Sequence, residues 1–186
     1  MMEFRYKILS ESIAYTGREL RSGWVKETTG FSGDAAAGFI GSCSVAKEDL
    51  VDMDDLRAGA VIESALMGHI IIEHPGCSLH TAVLRQRLLI CILREFLHEN
   101  GINARRDGDD LFAEGKKLTV SIAAPSAASS LIHTGINIDP GGAPVPAIGL
   151  AHFGIEAAAL LDKWLFLYGR EMQGCEYAES KVRRIP

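Results

Sequence analysis

Residues 79–101, LHTAVLRQRLLICILREFLHENG, constrain the fold more than any other stretch of this chain. Val83, Leu84, Leu88, Cys91, Ile92 and Phe96 recur at helical spacing, with only Glu95 polar on that stripe, while Arg85, Arg94 and Glu99 fall on the other side. Asn100-Gly101 supplies the stop, because glycine accepts the left-handed conformation a helix end requires. A helix of this length must bury a face, and the rest of the chain offers mostly strands to bury it on. Strand signals lie in 4–15, in FIGSCSVA (39–46), in the β-branched end of AVIESALMGHIIIEH (60–74), around 102–106, and in SLIHTGINID (130–139). LFA and KKLTVSIAA flank Glu114-Gly115 as a hairpin.

Between these lie breakers. Residues 16–38 show no sustained period and read mainly as loop; 48–56 reads as a link or helical turn. Pro75-Gly76 ends a strand, and PGGAPVPAIG (140–149) cannot stay regular for long. A second helix is expected over roughly 153–172, followed by a loosely held tail over 173–186. The expected fold class is therefore α+β: one domain over 1–186, a mainly antiparallel sheet carrying two long helices.

At 186 residues the chain is long enough for a substantial core. A formal charge of −5 gives no general attraction for nucleic acid. The longest apolar runs, such as Ile70-Ile71-Ile72, are too short to cross a bilayer. Charges at Glu3, Arg5 and Lys7 interrupt any apolar signal segment. Cys43, Cys77, Cys91 and Cys175 stand at unrelated spacings, which suits free thiols in a reducing, cytoplasmic setting. Cys91 reads as packing.

GDDLFAEGKKLTVSIAA (108–124) carries the densest chemistry. Strand alternation places Lys117, Thr119 and Ser121 on one face and Leu118, Val120 and Ile122 on the core face. Lys117 would then stand over the sheet within reach of a bound anion, and an ammonium is a compact partner for a carboxylate or phosphate oxygen. Asp109 and Asp110 could hold a divalent metal or the polar end of a substrate. The plainer reading of periodicity alone is that all four charges are solvent-facing hairpin decoration. Arg18 and Arg21, in a Gly-bearing loop before Trp24, could meet a phosphate together with backbone N–H groups, or form a surface loop from which Trp24 folds back into the core. His69 and His74 fall on opposite strand faces; His69 and Glu73 could share one, without a third ligand in sight. No G-x-S-x-G elbow, P-loop or H-E-x-x-H is present.

Taken in order, four pieces resemble the catalytic domain of biotin and lipoate protein ligases: the loop with Gly17, Arg18, Arg21 and Trp24; the long helix; Asp109-Asp110 followed by Gly115-Lys116-Lys117-Leu118; and Thr134-Gly135-Ile136-Asn137-Ile138-Asp139. The whole chain also resembles the family catalogued as domain of unknown function 366. The resemblance implies a ligase-like fold and an ATP-dependent reaction that turns a small carboxylic acid into an acyl-adenylate, with Mg²⁺ as companion ion and an acceptor, a protein among the candidates. It implies Lys117 as the electrostatic catalyst. Arg18, Arg21, Trp24, Asp109, Asp110, Gly115 and Asn137 would be substrate or nucleotide contacts. The residue spacings give no dedicated metal site, and a homo-oligomer stays open.

The Gly/Arg loop here is thinner than the ligases' own, and Val120 replaces a glycine of their motif. Two readings follow: an acyl-adenylate-forming ligase or acyltransferase, or a non-catalytic module that keeps the fold and binds a small anion or a protein.

Overall fold

A computed structural model describes residues 4–185. Its framework is a five-stranded sheet made of β1 (Arg5–Ser12), β2 (Ala35–Val45), β3 (Ile62–Pro75), β7 (Thr119–Pro125) and β8 (Ser129–Asp139), in the spatial order β1-β2-β3-β8-β7. Only β1 pairs parallel to its neighbour; the other three pairings are antiparallel. β3 is the middle strand, and every residue from Met67 to His74 is buried, as a strand covered on both faces must be. A small second sheet holds β4 (Ala104–Asp107), β5 (Asp110–Ala113) and β6 (Lys116–Lys117).

Two long helices cover one face of the large sheet. α3 (Leu79–Glu99) starts at Ser78, whose hydroxyl accepts the Thr81 N–H. α5 (Ala157–Ser180) starts at Glu156, whose carboxylate accepts two amides of its first turn. Leu89, Leu93, Leu161, Trp164 and Leu165 interlock there over Ile70, Ile72, Ile132 and Ile136.

The buried face of α3 differs from the expected stripe. Ala82, Gln86, Leu89, Ile90, Leu93 and Leu97 point inward, whereas Leu84 is exposed and Val83, Leu88, Cys91, Ile92 and Phe96 are only partly covered. Apolar residues also reach onto the flanks of the helix, and the polar Gln86 sits among the inward-facing ones, so a hydrophobic count alone does not pick out the buried side. α5 continues to Ser180, well into the stretch expected to be loose, although no described residue beyond Met172 is buried.

The segment expected to be loop over 16–38 contains α1 (Trp24–Thr29) and the first residues of β2. Ala35, Ala36 and Ala37 are buried with no alternation, packed on both faces of the sheet. Trp24 and Val25 anchor α1 on the sheet face opposite the long helices, over Phe39 and Met67. α2 (Met53–Ala58), reached through a 3-10 turn at Lys47–Asp49, and the short α4 (Leu150–Phe153) complete the chain.

Candidate functional site

The hairpin at Glu114-Gly115 sets the site's register. Both residues have positive φ (52° and 74°), the two-residue turn whose twist matches paired strands. Ala113 therefore faces Lys116 and Phe112 faces Lys117. Asp110, two residues before Phe112, is the diagonal same-face neighbour of Lys117. Their charged groups meet: Lys117 Nζ lies 2.8 Å from Asp110 Oδ2, with the side chains 29% and 26% exposed.

The Lys117 backbone is clamped as well. Its N–H donates to the Pro146 carbonyl (2.9 Å), and its carbonyl accepts from Ile148 N–H (3.0 Å) and Asn137 Nδ2 (3.2 Å). The Pro/Gly-rich segment 140–149 thus docks beside the lysine through an isolated bridge between Ala147 and Lys117. At Leu118 the chain passes from the small sheet to the large one, and strict alternation breaks there. Leu118 is core as expected, but Val120 and Ile122 line a cavity with Lys117. Thr119, expected beside Lys117, is buried with its hydroxyl accepting the Leu111 N–H. The Ser121 hydroxyl takes a hydrogen bond from Gln86 of α3.

This cavity, about 470 Å³, lies on the sheet face away from the long helices. Its size is within the range of small-molecule sites, roughly 300–1,000 Å³. One wall comes from residues 49–63, a second from 109–122, a third from 143–147, and the floor holds Tyr15, Met67 and His133. The lining carries six carboxylates, on Asp49, Asp52, Asp55, Glu63, Asp109 and Asp110, against the single ammonium of Lys117. Burial pushes the Asp110 carboxyl above its usual range; Lys117 pulls it back, while Asp109 and Asp55 push it further up.

The floor is a ladder of stacked rings. Tyr15 lies on His133 with ring centres 3.7 Å apart, and His69 Nδ1 is 3.1 Å from His133 Nε2. His69 Nε2 faces the Gly41 carbonyl at 3.3 Å. Burial pushes His69 down to about 4 despite its bonds to the Gly41 and Ser42 backbone, and burial with His69 alongside pushes His133 well down too. Both rings are neutral at physiological pH. His69 and His74 do lie on opposite faces; Glu73 binds Ser22, Gly23 N–H and Ser129 instead of a metal partner.

Lys117, Asp109, Asp110 and Asn137 come together at the cavity. Asp109 is held by Gln86 Nε2 (2.7 Å), with Arg87 at 3.8 Å, and Asn137 Oδ1 accepts from Ser64 (3.1 Å). Arg18, Arg21, Trp24 and Gly115 do not line it. Arg18 pairs with Asp49 at 3.0 Å, Arg21 pairs with Glu27, and Trp24 is core. Gly115 sits in the exposed turn. Asp55, Glu63, Gln86 and His133 went unread in the sequence. A histidine on an otherwise apolar strand was the signal available for His133; for the acidic wall there was none, since topology alone brings 49–63 to 109–122.

The chain matches the family described as Domain of unknown function (DUF366) over residues 4–183, and it belongs to that family. An uncharacterized protein, MJ0805, from Methanocaldococcus jannaschii is 35% identical over 154 residues, covering 80% of this chain and 70% of that one. The structure of a protein of unknown function from Pyrococcus horikoshi is 35% identical with a TM-score of 0.93, covering 98% of this chain and 100% of that chain. A mutant biotin protein ligase from Aquifex aeolicus in complex with biotin is 13% identical with a TM-score of 0.59, covering 92% of this chain and 70% of that chain. The fold is of the biotin and lipoate protein ligase type.

Proposed function

We propose that this member of the DUF366 family binds a small carboxylic acid in the cavity, with the carboxylate held by Lys117. One observation carries the reading: the Lys117 ammonium stands at the cavity wall on a backbone clamped by Pro146, Ile148 and Asn137. Asp110 occupies one of its three donors, which leaves two for a ligand oxygen.

The lining does not fit a nucleoside triphosphate. Phosphates would face six carboxylates across one ammonium, and Arg18 and Arg21 are committed to Asp49 and Glu27. Mg²⁺ binds through one or two carboxylates plus phosphate oxygens, so Asp109 or Asp110 would serve it only alongside a nucleotide. The proposal is therefore a binding module on a ligase-like fold.

A second reading, activation of the acid by ATP, is favoured by one feature: Gly115-Lys116-Lys117-Leu118 resembles the ligase motif and sits on a ligase-type fold. Calorimetric titration of a panel of small carboxylic acids tests the first reading. At least one acid should bind, about tenfold or more weakly in Lys117→Met and unchanged in Lys116→Met. An acid that binds equally well to Lys117→Met contradicts it. Acid-dependent ATP–pyrophosphate exchange, absent under the first reading, would establish the second.

A further inference from the structure

We propose that the acid held by Lys117 carries a cationic amine at its other end, so that the cavity selects an amino-carboxylic acid over a simple one. The carboxylate end rests on the reading above; the amine end rests on other residues.

The wall built from 49–63 carries four carboxylates. Arg18 answers Asp49, and the first-turn amides of α2 answer Asp52. Among the described residues, Asp55 and Glu63 have no cationic partner. Asp55 is half-buried and close enough to Asp110 to oppose its ionisation. A low-dielectric cleft lined by one sign of charge concentrates the opposite sign. A simple carboxylate entering here would meet repulsion from that wall and attraction from one group only.

The floor points to the same ligand by an independent route. The Gly41 carbonyl can only accept, so His69 Nε2 carries the proton and His69 Nδ1 is bare. His133 Nε2 must then donate to His69 Nδ1, which leaves His133 Nδ1 as a lone-pair acceptor. His133 is 3% exposed, lines the cavity, and has no partner for that nitrogen among the described residues. That nitrogen is not sealed off inside the protein, so it stands as an accessible lone pair for a ligand N–H entering the cavity. Met67, Val120 and Ile122 offer the apolar surface for a methylene spine between the two charged ends.

The test is calorimetric titration with three probes of matched length: hexanoate, ε-aminohexanoate and hexamethylenediamine. The wild-type protein should bind ε-aminohexanoate about tenfold or more tightly than hexanoate. Asp55→Asn with Glu63→Gln should abolish that preference and tighten hexanoate binding, because the repelling charges are gone, with thermal melts confirming the fold. Equal affinity for the two acids, a preference that survives the double variant, or no binding of any probe at millimolar concentration overturns the inference. If Lys117→Met leaves ε-aminohexanoate binding intact, the carboxylate reading is what fails. If the diamine binds tightest, the cavity takes a cation alone and the amino-acid proposal falls.

Discussion

The two faces of the large sheet are made by the same strands and spend their residues differently. On the helix-covered face, α3 and α5 seal a largely apolar layer whose few polar groups are partnered: the Trp164 indole N–H donates to the Leu89 carbonyl at 2.8 Å, His74 Nε2 meets the Tyr168 hydroxyl at 3.0 Å, and Gln86 donates to Asp109 and Ser121. On the other face, α1 covers only part of the sheet, and the remainder opens into a cavity floored by Tyr15, Met67 and His133 and walled by carboxylates. One face holds the fold together. The other carries the linked pair of imidazoles, His69 and His133, and crowded like charges, which a chain selected for stability alone would replace. That contrast makes the open face, more than any motif, the place to test for a ligand.

The comparison breaks most easily on its stable side. Trp164→Ala should cost on the order of 3–5 kcal/mol, read as a large fall in melting temperature, while acid affinity of the folded fraction stays the same. A parallel loss of affinity would show that the faces are coupled. The open face should respond next, to pH. His69 in the folded protein titrates near 4, below the ordinary 6.5, so between those values the unfolded chain binds more protons. Stability should be fully present above about pH 6.5 and lost as the pH falls toward 4, by up to about 3 kcal/mol. Melting temperatures across that window check this, and His69→Gln should flatten the slope.

Smaller effects sharpen the division. Lys117→Met should cost no more than about 1 kcal/mol, since its ion pair is partly solvated, yet weaken acid binding about tenfold. Arg18→Ala and Arg21→Ala should leave both melting temperature and acid affinity unchanged within error, because both guanidiniums are exposed and neither lines the cavity. A drop in affinity with either would bring the arginine loop back into the site.

Much of the frame was legible in residue order because local chemistry determines it. Pro75-Gly76, Asn100-Gly101 and Glu114-Gly115 mark chain reversals that only certain backbones permit, and the hairpin turn alone places Lys117 diagonal to Asp110. The buried side of α3 differs from the expected stripe because that stripe runs through Leu84, Leu88 and Cys91, which share their side with the exposed Glu95 and His98. The side on the sheet holds Gln86 among Ala82, Leu89, Ile90, Leu93 and Leu97. The slip at Leu118, where the strand changes sheets and transfers Val120 and Ile122 from the expected core to the cavity, was not legible. The acidic wall depends wholly on tertiary placement of 49–63 against the hairpin. Thus the lysine of the candidate site could be read in advance, and the acidic wall opposite it could not.

The most direct measurement is the ammonium resonance of Lys117 in ¹⁵N-lysine-labelled protein, assigned by its loss in Lys117→Arg and followed during titration with a small acid that binds. The account predicts a saturable shift at Lys117 and none at the adjacent Lys116. A bound acid that leaves the Lys117 signal in place would contradict it.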